Sequence, residues 1–435
     1  MNATYLFIYA ALFGGLLAAS LARSRSPLAP APLWNACWAL LFLSAGVLGQ
    51  AYEYDASSTA LLFFLAASFN VVPLLASHDA HEYSVEKRRS LSSALDFPAW
   101  LLVMTGLVGL LGAVQLSSQL GTSLLSADSL ARALEASSDN ASLIYRGEVV
   151  RSSFGTMSYA VMQFGFAALG ARMRIRPDRW IWLVLPLNIL SAAAWTLVTT
   201  QRSYFLVSIL WLVAGYVAAA VASGNEKISL KLTVSAVSAV VALTIFVVAS
   251  RAVRVSGANA QLDANAWSSA TLWAAGYIPT FSSWHAAGGG SEIYPFRLLA
   301  GVFSAFGLAI ETGVQADGET FTYIGNGQLS NASTMMRAAV LGGGIVGAFL
   351  IVIALGAISA AIYHASRRGS PLAAGAYVGV VATILWSINA WHFTNANRVI
   401  AQVLIMGAIG ASFTITQKRY ADAHRQTRTS ACQHR

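Results

Sequence analysis

Apolar residues occur in long runs along nearly the whole chain, and short polar stretches separate them. Each run approaches the ~20 residues that a helix needs to cross roughly 30 Å of hydrocarbon. Because backbone polar groups in lipid must pair internally, such runs can span a membrane only as helices. We predict about eleven spans on this length criterion, near residues 3–22, 33–50, 58–76, 97–117, 153–171, 180–199, 203–222, 231–250, 338–363, 372–390 and 398–416.

This pattern predicts an all-α polytopic integral membrane protein in four parts. Residues 1–250 hold the first eight helices, with a small outer loop at 118–152. Residues 251–336 form a large outer loop between the eighth and ninth helices. Residues 337–416 hold the last three helices, and residues 417–435 form a tail.

Two apolar stretches of the large loop are predicted to lie at the membrane interface. Pro295 to Ile310 is too short for a comfortable span and carries Arg297, so we expect it to lie at the interface or dip part-way in. Thr271 to Phe281 is the second such stretch. The first run of the chain, Ala3 to Ala22, is expected to be an uncleaved helix with the N-terminus outside, because basic residues follow it and do not precede it.

Composition supports a membrane protein and makes nucleic acid an unsuitable partner. The chain is 56% hydrophobic and 10% charged, with a mean hydropathy of +0.60, whereas soluble chains carry roughly 25% charged residues. Its net charge is +9, but the basic residues cluster in loops between apolar runs. Cys37 lies in an apolar run and Cys432 in the charged tail, so we expect no disulfide.

Basic residues alternate between the two sides of the predicted helices. Most of the 27 Lys and Arg fall in every second loop and in the tail, and the positive-inside rule assigns those segments to the cytoplasm. All four lysines are on that side. The basic residues of the outer side are all arginines, namely Arg132, Arg146, Arg151, Arg202, Arg251, Arg254, Arg297, Arg337 and Arg398.

The outer arginines have two interpretations. A guanidinium offers a planar fork of donors that suits phosphate, and charge at membrane depth is usually functional. Chance in an arginine-rich chain explains the absence of lysine equally well, and each arginine could simply reach the headgroups. Five of them lie at predicted helix ends, where convergence on one cavity would suit a pyrophosphate: Arg202, Arg251, Arg254, Arg337 and Arg398.

Several outer side chains could exchange protons. His285 and His392 lie in outer loops, and a neutral imidazole can remove a proton from a sugar hydroxyl. Glu311, Asp317 and Glu319 cluster late in the large loop. An ordinary polar or solvated loop explains each of these residues as well. No Gly-rich phosphate loop and no Cys/His metal spacing occurs, so we predict no cofactor and no metal.

Three stretches resemble the bacterial O-antigen polymerase (Wzy-type) family of repeat-unit polymerases. The first is Gln201-Arg202-Ser203, at an outer turn between two central spans. The second runs from Ala274 through Gly276-Tyr277-Ile278-Pro279 to Phe281. The third runs from Asn331 through Met336-Arg337 into Leu341-Gly342-Gly343-Gly344 and on to Gly347; it is similar to the family's loop exit, although the Asp and Phe typical of that exit are absent here.

The resemblance implies a GT-C-like, metal-independent glycosyltransferase in the bacterial inner membrane. Its substrate would be a sugar repeat unit on undecaprenyl pyrophosphate at the periplasmic face, with membrane lipid around it and a chain-length regulator protein as a partner. The N-terminus would be periplasmic and the C-terminus cytoplasmic. Arg202, Arg254 and Arg337 would stabilise the pyrophosphate leaving group, with Arg251 and Arg398 in reserve, and His285 or Glu311 would be the base.

Other functions remain open at this point. An O-antigen ligase-type transferase would favour a histidine just before the span that follows the large loop, and Ser333-Thr334-Met335 has none. A transporter or flippase of lipid-linked glycans would favour broken helices and polar residues at mid-membrane. The Glu53-Tyr54-Asp55 pair resembles the acidic pair of metal-dependent lipid-linked glycosyltransferases, although its loop is short. A non-catalytic scaffold is a further alternative.

Overall fold

The computed structural model describes residues 4–75, 85–120, 152–199, 203–227, 271–308, 310, 321–325, 327–332 and 334–433. Helices dominate this part of the chain. In chain order they are α1 (Thr4–Ser24), α2 (Pro30–Leu48), α3 (Ala56–Ser68), α4 (Val71–Leu75), α5 (Val85–Ala94), α6 (Ala99–Gln119), α7 (Ser153–Ile175), α8 (Ile181–Thr199), α9 (Ser203–Ala222), α10 (Tyr277–Ala286), α11 (Ala300–Ala305), α12 (Met335–Arg367), α13 (Pro371–Trp386) and α14 (Ala396–Gln433).

The described helices make this an all-α, multi-pass membrane protein. Seven of them are long and apolar enough to cross a membrane, namely α1, α2, α6, α8, α9, α12 and the first 23 residues of α14. Helices also occupy most of the predicted spans 58–76 and 372–390 and all of 153–171, but these helices do not meet the same criteria of length and composition. The predicted span 231–250 lies outside the described residues, so the count of eleven stays a prediction.

Local sequence explains where several helices begin. Asp55, Ser152 and Ser370 lie just before α3, α7 and α13, and each side chain accepts a hydrogen bond from a backbone amide in the first turn. Such caps satisfy amides that have no partner within the helix. Pro30 and Pro371 occupy the first helical position, where the missing amide costs nothing.

Glycines let two central helices approach closely. A Cβ on Gly170 of α7 would lie 1.9 Å from the carbonyl oxygen of Leu212, and one on Gly215 of α9 would lie 1.9 Å from that of Ala167. Small residues at helix contacts are typical of membrane bundles, because tight packing replaces the hydrophobic effect there. The α7–α9 contact therefore depends on both glycines.

Polar side chains inside the bundle pair with each other. Asn35 and Asn70 exchange two hydrogen bonds of 2.9 Å between their amide groups, and the Asn35 amide also reaches Ser20. Asn397 donates to the side-chain oxygen of Gln163 at 3.0 Å. Because unpaired polar groups are costly in a membrane interior, these pairs fix the neighbouring helices against one another.

The bundle has two distinct ends. One end, which we name the basic face, consists of residues 25–29, 95–98, 172–180, 223–227 and 367–370. There Arg172 pairs with Asp178 at 2.5 Å and with Asp96 at 3.5 Å, and Arg367 pairs with Glu226 at 3.0 Å. The other end, which we name the loop face, consists of residues 49–55, 271–308, 321–325, 327–332, 334–337 and 387–398.

The described parts of the large loop lie on the loop face as short elements. Residues 271–275 are helical and are followed by α10. The stretch from Pro295 forms only a 3-10 turn (Arg297–Leu299) and the six-residue α11, neither long enough to span. Strands β1 (Thr322–Tyr323) and β2 (Leu329–Ser330) form an antiparallel hairpin, with Thr322 opposite Ser330. The backbone amide of Glu53 donates to Ile324 at 2.9 Å, which joins the hairpin to the turn between α2 and α3.

Helix α12 is broken near its start. Gly344 has φ 65° and ψ −174°, a conformation that only glycine adopts readily. The carbonyl of Leu341, just before the break, instead accepts a 2.7 Å hydrogen bond from the backbone amide of Tyr294. The break thus separates a buried first part of α12, which carries Arg337, from the long span that follows.

Candidate functional site

A network of hydrogen bonds surrounds the start of α3 at the loop face. The Asp55 carboxylate caps the helix by accepting from the Ser58 amide at 2.8 Å and from the Ser57 hydroxyl at 2.5 Å. The Ser57 hydroxyl, the Ser58 amide and the Ser58 hydroxyl together hold the pKa of Asp55 down at about 2, against the raising effect of burial, and the charge of His285 adds to this. Asp55 is therefore ionised at neutral pH.

Helix α10 docks onto this start through Ser282. The Asp55 amide donates to the Ser282 hydroxyl oxygen at 2.7 Å, and the Thr59 hydroxyl lies 3.3 Å from the same oxygen. One helical turn further along α10, His285 Nδ1 lies 2.9 Å from the Ser58 hydroxyl oxygen. The imidazole stacks on Phe281 at 6.1 Å between ring centroids, with only 4° between the planes. His285 is thus held at one nitrogen and is partly exposed.

Arg337 lies beside His285 across a shared tryptophan. Its guanidinium carbon lies 5.0 Å from the centroid of the Trp284 ring, and the His285 ring lies 6.5 Å from that ring. Arg337 is 3% exposed, so its charge is held in a largely desolvated position, where electrostatic interactions are strong. The structure therefore brings together two of the predicted site residues, His285 and Arg337.

Arg398 occupies a neighbouring position at the start of α14. Its guanidinium lies 5.0 Å from the Trp386 ring centroid and donates a 3.0 Å hydrogen bond to the His392 carbonyl. The Met335 amide donates to the Ser387 carbonyl at 2.9 Å, which joins the start of α12 to the end of α13. Arg398 is 8% exposed, and its partner Trp386 precedes Ser387, the residue that contacts the start of α12.

His392 is not available to a substrate. Its ring is fully buried against Trp211 and Phe393, with centroids 5.4 and 5.0 Å away. Among the described residues, neither ring nitrogen has a hydrogen-bond partner. Burial, and then the charge of Arg398, hold the pKa of His392 well below its ordinary value. The His392 ring is therefore too buried to reach a substrate hydroxyl as a base. His285, which is partly exposed, is the better candidate for that role.

The acidic pair before α3 has a structural role. Asp55 caps the helix, and the Tyr54 hydroxyl donates to the Gly49 carbonyl at 2.9 Å. Within the described residues, no group of three or more His, Cys, Asp or Glu is arranged to hold a metal ion. The capping interaction accounts for Asp55, while the Glu53 backbone amide bonds the Ile324 carbonyl.

Sequence reasoning missed part of this site. It did not select Ser58, which contacts His285, or Trp284, whose ring lies beside Arg337. The spacing of Asp55 to Ser58 and of Ser282 to His285, three residues in each case, was the available signal. Four predicted site residues lie outside the described part of the chain: Arg202, Arg251, Arg254 and Glu311.

No family model, no curated protein and no solved structure matches this chain.

Proposed function

We propose that the protein polymerises oligosaccharide repeat units carried on undecaprenyl pyrophosphate. The observation that carries this proposal is that a buried guanidinium, Arg337, and a partly exposed imidazole, His285, both lie beside the Trp284 ring at the loop face. A cation for a leaving anion and a base for an entering hydroxyl are the two groups that glycosyl transfer from a pyrophosphate requires.

The proposed step is a displacement at the anomeric carbon. The acceptor sugar hydroxyl forms the new glycosidic bond, and the bond from the anomeric carbon to the pyrophosphate oxygen breaks. The electron pair leaves with the lipid pyrophosphate, whose growing charge Arg337 and Arg398 stabilise by charge-assisted hydrogen bonds. His285 accepts the proton of the hydroxyl. Arg202, Arg251, Arg254 and Glu311 remain candidates for the same roles.

The charge distribution supports a periplasmic site in a bacterial inner membrane. Arginines such as Arg172, Arg174 and Arg367 lie at the basic face, and the positive-inside rule favours the cytoplasm for that end. The loop face, with His285 and Arg337, would then open to the periplasm, with the N-terminus on that side. A GT-C-like arrangement is part of the same proposal.

Purified protein in nanodiscs, supplied with undecaprenyl-pyrophosphate-linked repeat units, tests this function. We expect a ladder of lengthened glycans and release of undecaprenyl pyrophosphate, without a nucleotide sugar or added metal. Transfer only to a lipid A core acceptor would identify a ligase instead. A preparation that forms no glycosidic bond with either acceptor would overturn the transferase proposal.

A transporter of lipid-linked glycans is the second candidate, because α12 is broken at Gly344 beside the loop face. Broken helices line substrate sites in several transporter folds. Proteoliposomes distinguish the two functions: a transporter would move a fluorescent lipid-linked oligosaccharide between leaflets without forming a glycosidic bond.

A further inference from the structure

Four helices meet around an open cavity at the basic face. Arg23 and Ser24 at the end of α1 and His364 in the last turn of α12 line it. The start of α2 at Pro30 and part of the short α4 complete the lining. The enclosed space, including its open mouth, is about 370 Å³. Polar side chains that are distant in the sequence thus converge on one opening.

The cavity lies at the depth of one layer of lipid headgroups. Helix α1 has 21 residues and is apolar enough to cross a membrane. At 1.5 Å per residue it is about 31 Å long, which matches the ~30 Å of the hydrocarbon core. Arg23, in its last turn, therefore lies where acyl chains give way to headgroups. Leu21 of α1 and Val71 at the start of α4 are exposed and can contact acyl chains. A phospholipid beside them places its phosphate at the cavity.

The charge of the lining favours an anion. Arg23 is a permanent cation, and none of the described residues that line the cavity is acidic. The Tyr363 hydroxyl donates to Glu226 at 2.8 Å, but Arg367 pairs with that carboxylate at 3.0 Å and balances its charge. Helix α2 also starts here without a side-chain cap, and the positive end of its dipole lies at the cavity.

The two basic side chains need not be otherwise unoccupied to bind a phosphate. Arg23 and His364 both have other interactions within the chain. A guanidinium has five N–H donors, and an imidazole can donate from a ring nitrogen. Charge-assisted hydrogen bonds to phosphate oxygens can therefore be added to the interactions that are already present.

We propose that this cavity binds the phosphate of one anionic phospholipid from the leaflet at the basic face. Arg23 binds the phosphate oxygens, and His364 donates a further hydrogen bond from a different helix. Basic pockets between membrane helices are suited to anionic headgroups in this way. The bound lipid joins the end of α1 to the end of α12. This inference does not depend on the proposed glycosyl transfer.

Native mass spectrometry tests the site with phosphatidylglycerol and phosphatidylcholine of identical acyl chains. We expect the purified wild-type protein to retain one phosphatidylglycerol in preference to phosphatidylcholine. Arg23→Gln should lower the affinity for phosphatidylglycerol roughly five-fold, as the loss of one cation near an anionic lipid does, and His364→Gln should also lower it. Arg176→Gln is the matched control, because Arg176 is 65% exposed on the basic face, pairs with Asp96 at 3.6 Å and does not line the cavity. It should bind the lipid as the wild type does.

Thermal denaturation in detergent gives a second measurement. Phosphatidylglycerol should raise the thermal midpoint of the wild type and of Arg176→Gln, and it should raise that of Arg23→Gln less. The midpoint without lipid shows whether Arg23→Gln is folded. If it is not, His364→Gln, on another helix, decides the same question.

Three results would overturn the proposal. Equal retention of the two lipids by the wild type would show that the headgroup charge is not recognised. An equal loss of affinity in Arg176→Gln and Arg23→Gln would show that the charge of the whole face is sufficient. Displacement of phosphatidylglycerol by excess inorganic phosphate, with the same rise in thermal midpoint, would identify a site for a free anion instead of a lipid.

Discussion

At the scale of single residues, the arginines of the loop face are distinguished by their burial. Arg297, Arg337 and Arg398 are between 3% and 8% exposed. Holding a guanidinium out of water is costly unless surrounding groups compensate. Arg337 and Arg398 both pack on tryptophan rings, which favour a flat, weakly hydrated cation over an ammonium.

Replacement of Arg337 by lysine tests whether the planar guanidinium matters. The variant keeps the charge but loses the stacked, forked donor, so we expect transfer to fall by at least ~10²-fold. The measurement is the rate of product-ladder formation. Arg368→Lys, at an exposed position of the basic face, is the matched control and should retain full activity. A wild-type rate for Arg337→Lys would remove the guanidinium from the mechanism.

His392 predicts a pH dependence of stability. Its pKa is depressed in the folded protein, so the unfolded chain binds a proton that the folded chain does not. The contribution of neutral His392 to the free energy of unfolding is therefore fully present above the unfolded pKa of ~6.5, and it declines as the pH falls below that value. We expect His392→Phe to weaken this decline, measured as the difference in thermal midpoint in detergent between neutral and mildly acidic pH.

The same variant should be tolerated at neutral pH. A phenylalanine ring removes buried nitrogens that have no hydrogen-bond partner among the described residues, and it retains the contacts with Trp211 and Phe393. An unchanged acid sensitivity in His392→Phe would show that other groups control it.

At the scale of elements, the sequence determined where most helices lie but not how they are interrupted. The long apolar runs led directly to α1, α2, α6, α8 and α9. The run at 58–76 instead divides into α3 and α4, where Asn70 pairs with Asn35 from another helix. Beside the break in α12, the Leu341 carbonyl accepts from the amide of Tyr294, which lies far away in the chain. Both interruptions lie beside contacts with distant segments, which hydrophobic patterning does not reveal.

Because α12 is broken at Gly344, we predict that two nearby glycines differ in how well they tolerate substitution by alanine. Gly344→Ala places a Cβ where φ is 65°, so we expect a loss of roughly 1–3 kcal/mol in stability. A Cβ on Gly347 would contact nothing within 4 Å, so Gly347→Ala should be neutral or slightly stabilising. Thermal denaturation in detergent measures both variants. Equal stability of the two would mean that the break is not needed.

At the scale of the whole molecule, the alternation of charge predicted two different ends, and the described residues have them. What the sequence could not supply was the meeting of distant segments at one end. Asp55 meets Ser282, and Trp391 donates to the Leu298 carbonyl at 2.8 Å, although long stretches of chain separate the partners. The candidate site consists of such contacts, so residue types alone selected His285 and Arg337 but not Ser58 or Trp284.

The orientation of the molecule is the last property that can be tested directly. In a variant with Cys37 and Cys432 replaced by alanine and serine, a single cysteine is introduced at Ala287 of the loop face or at Arg368 of the basic face, both exposed positions. If the positive-inside rule holds, a membrane-impermeant maleimide added to intact spheroplasts should label Ala287→Cys and not Arg368→Cys. Opening the membrane should make both react. The reverse pattern would place His285 and Arg337 in the cytoplasm, where a periplasmic glycan could not reach them.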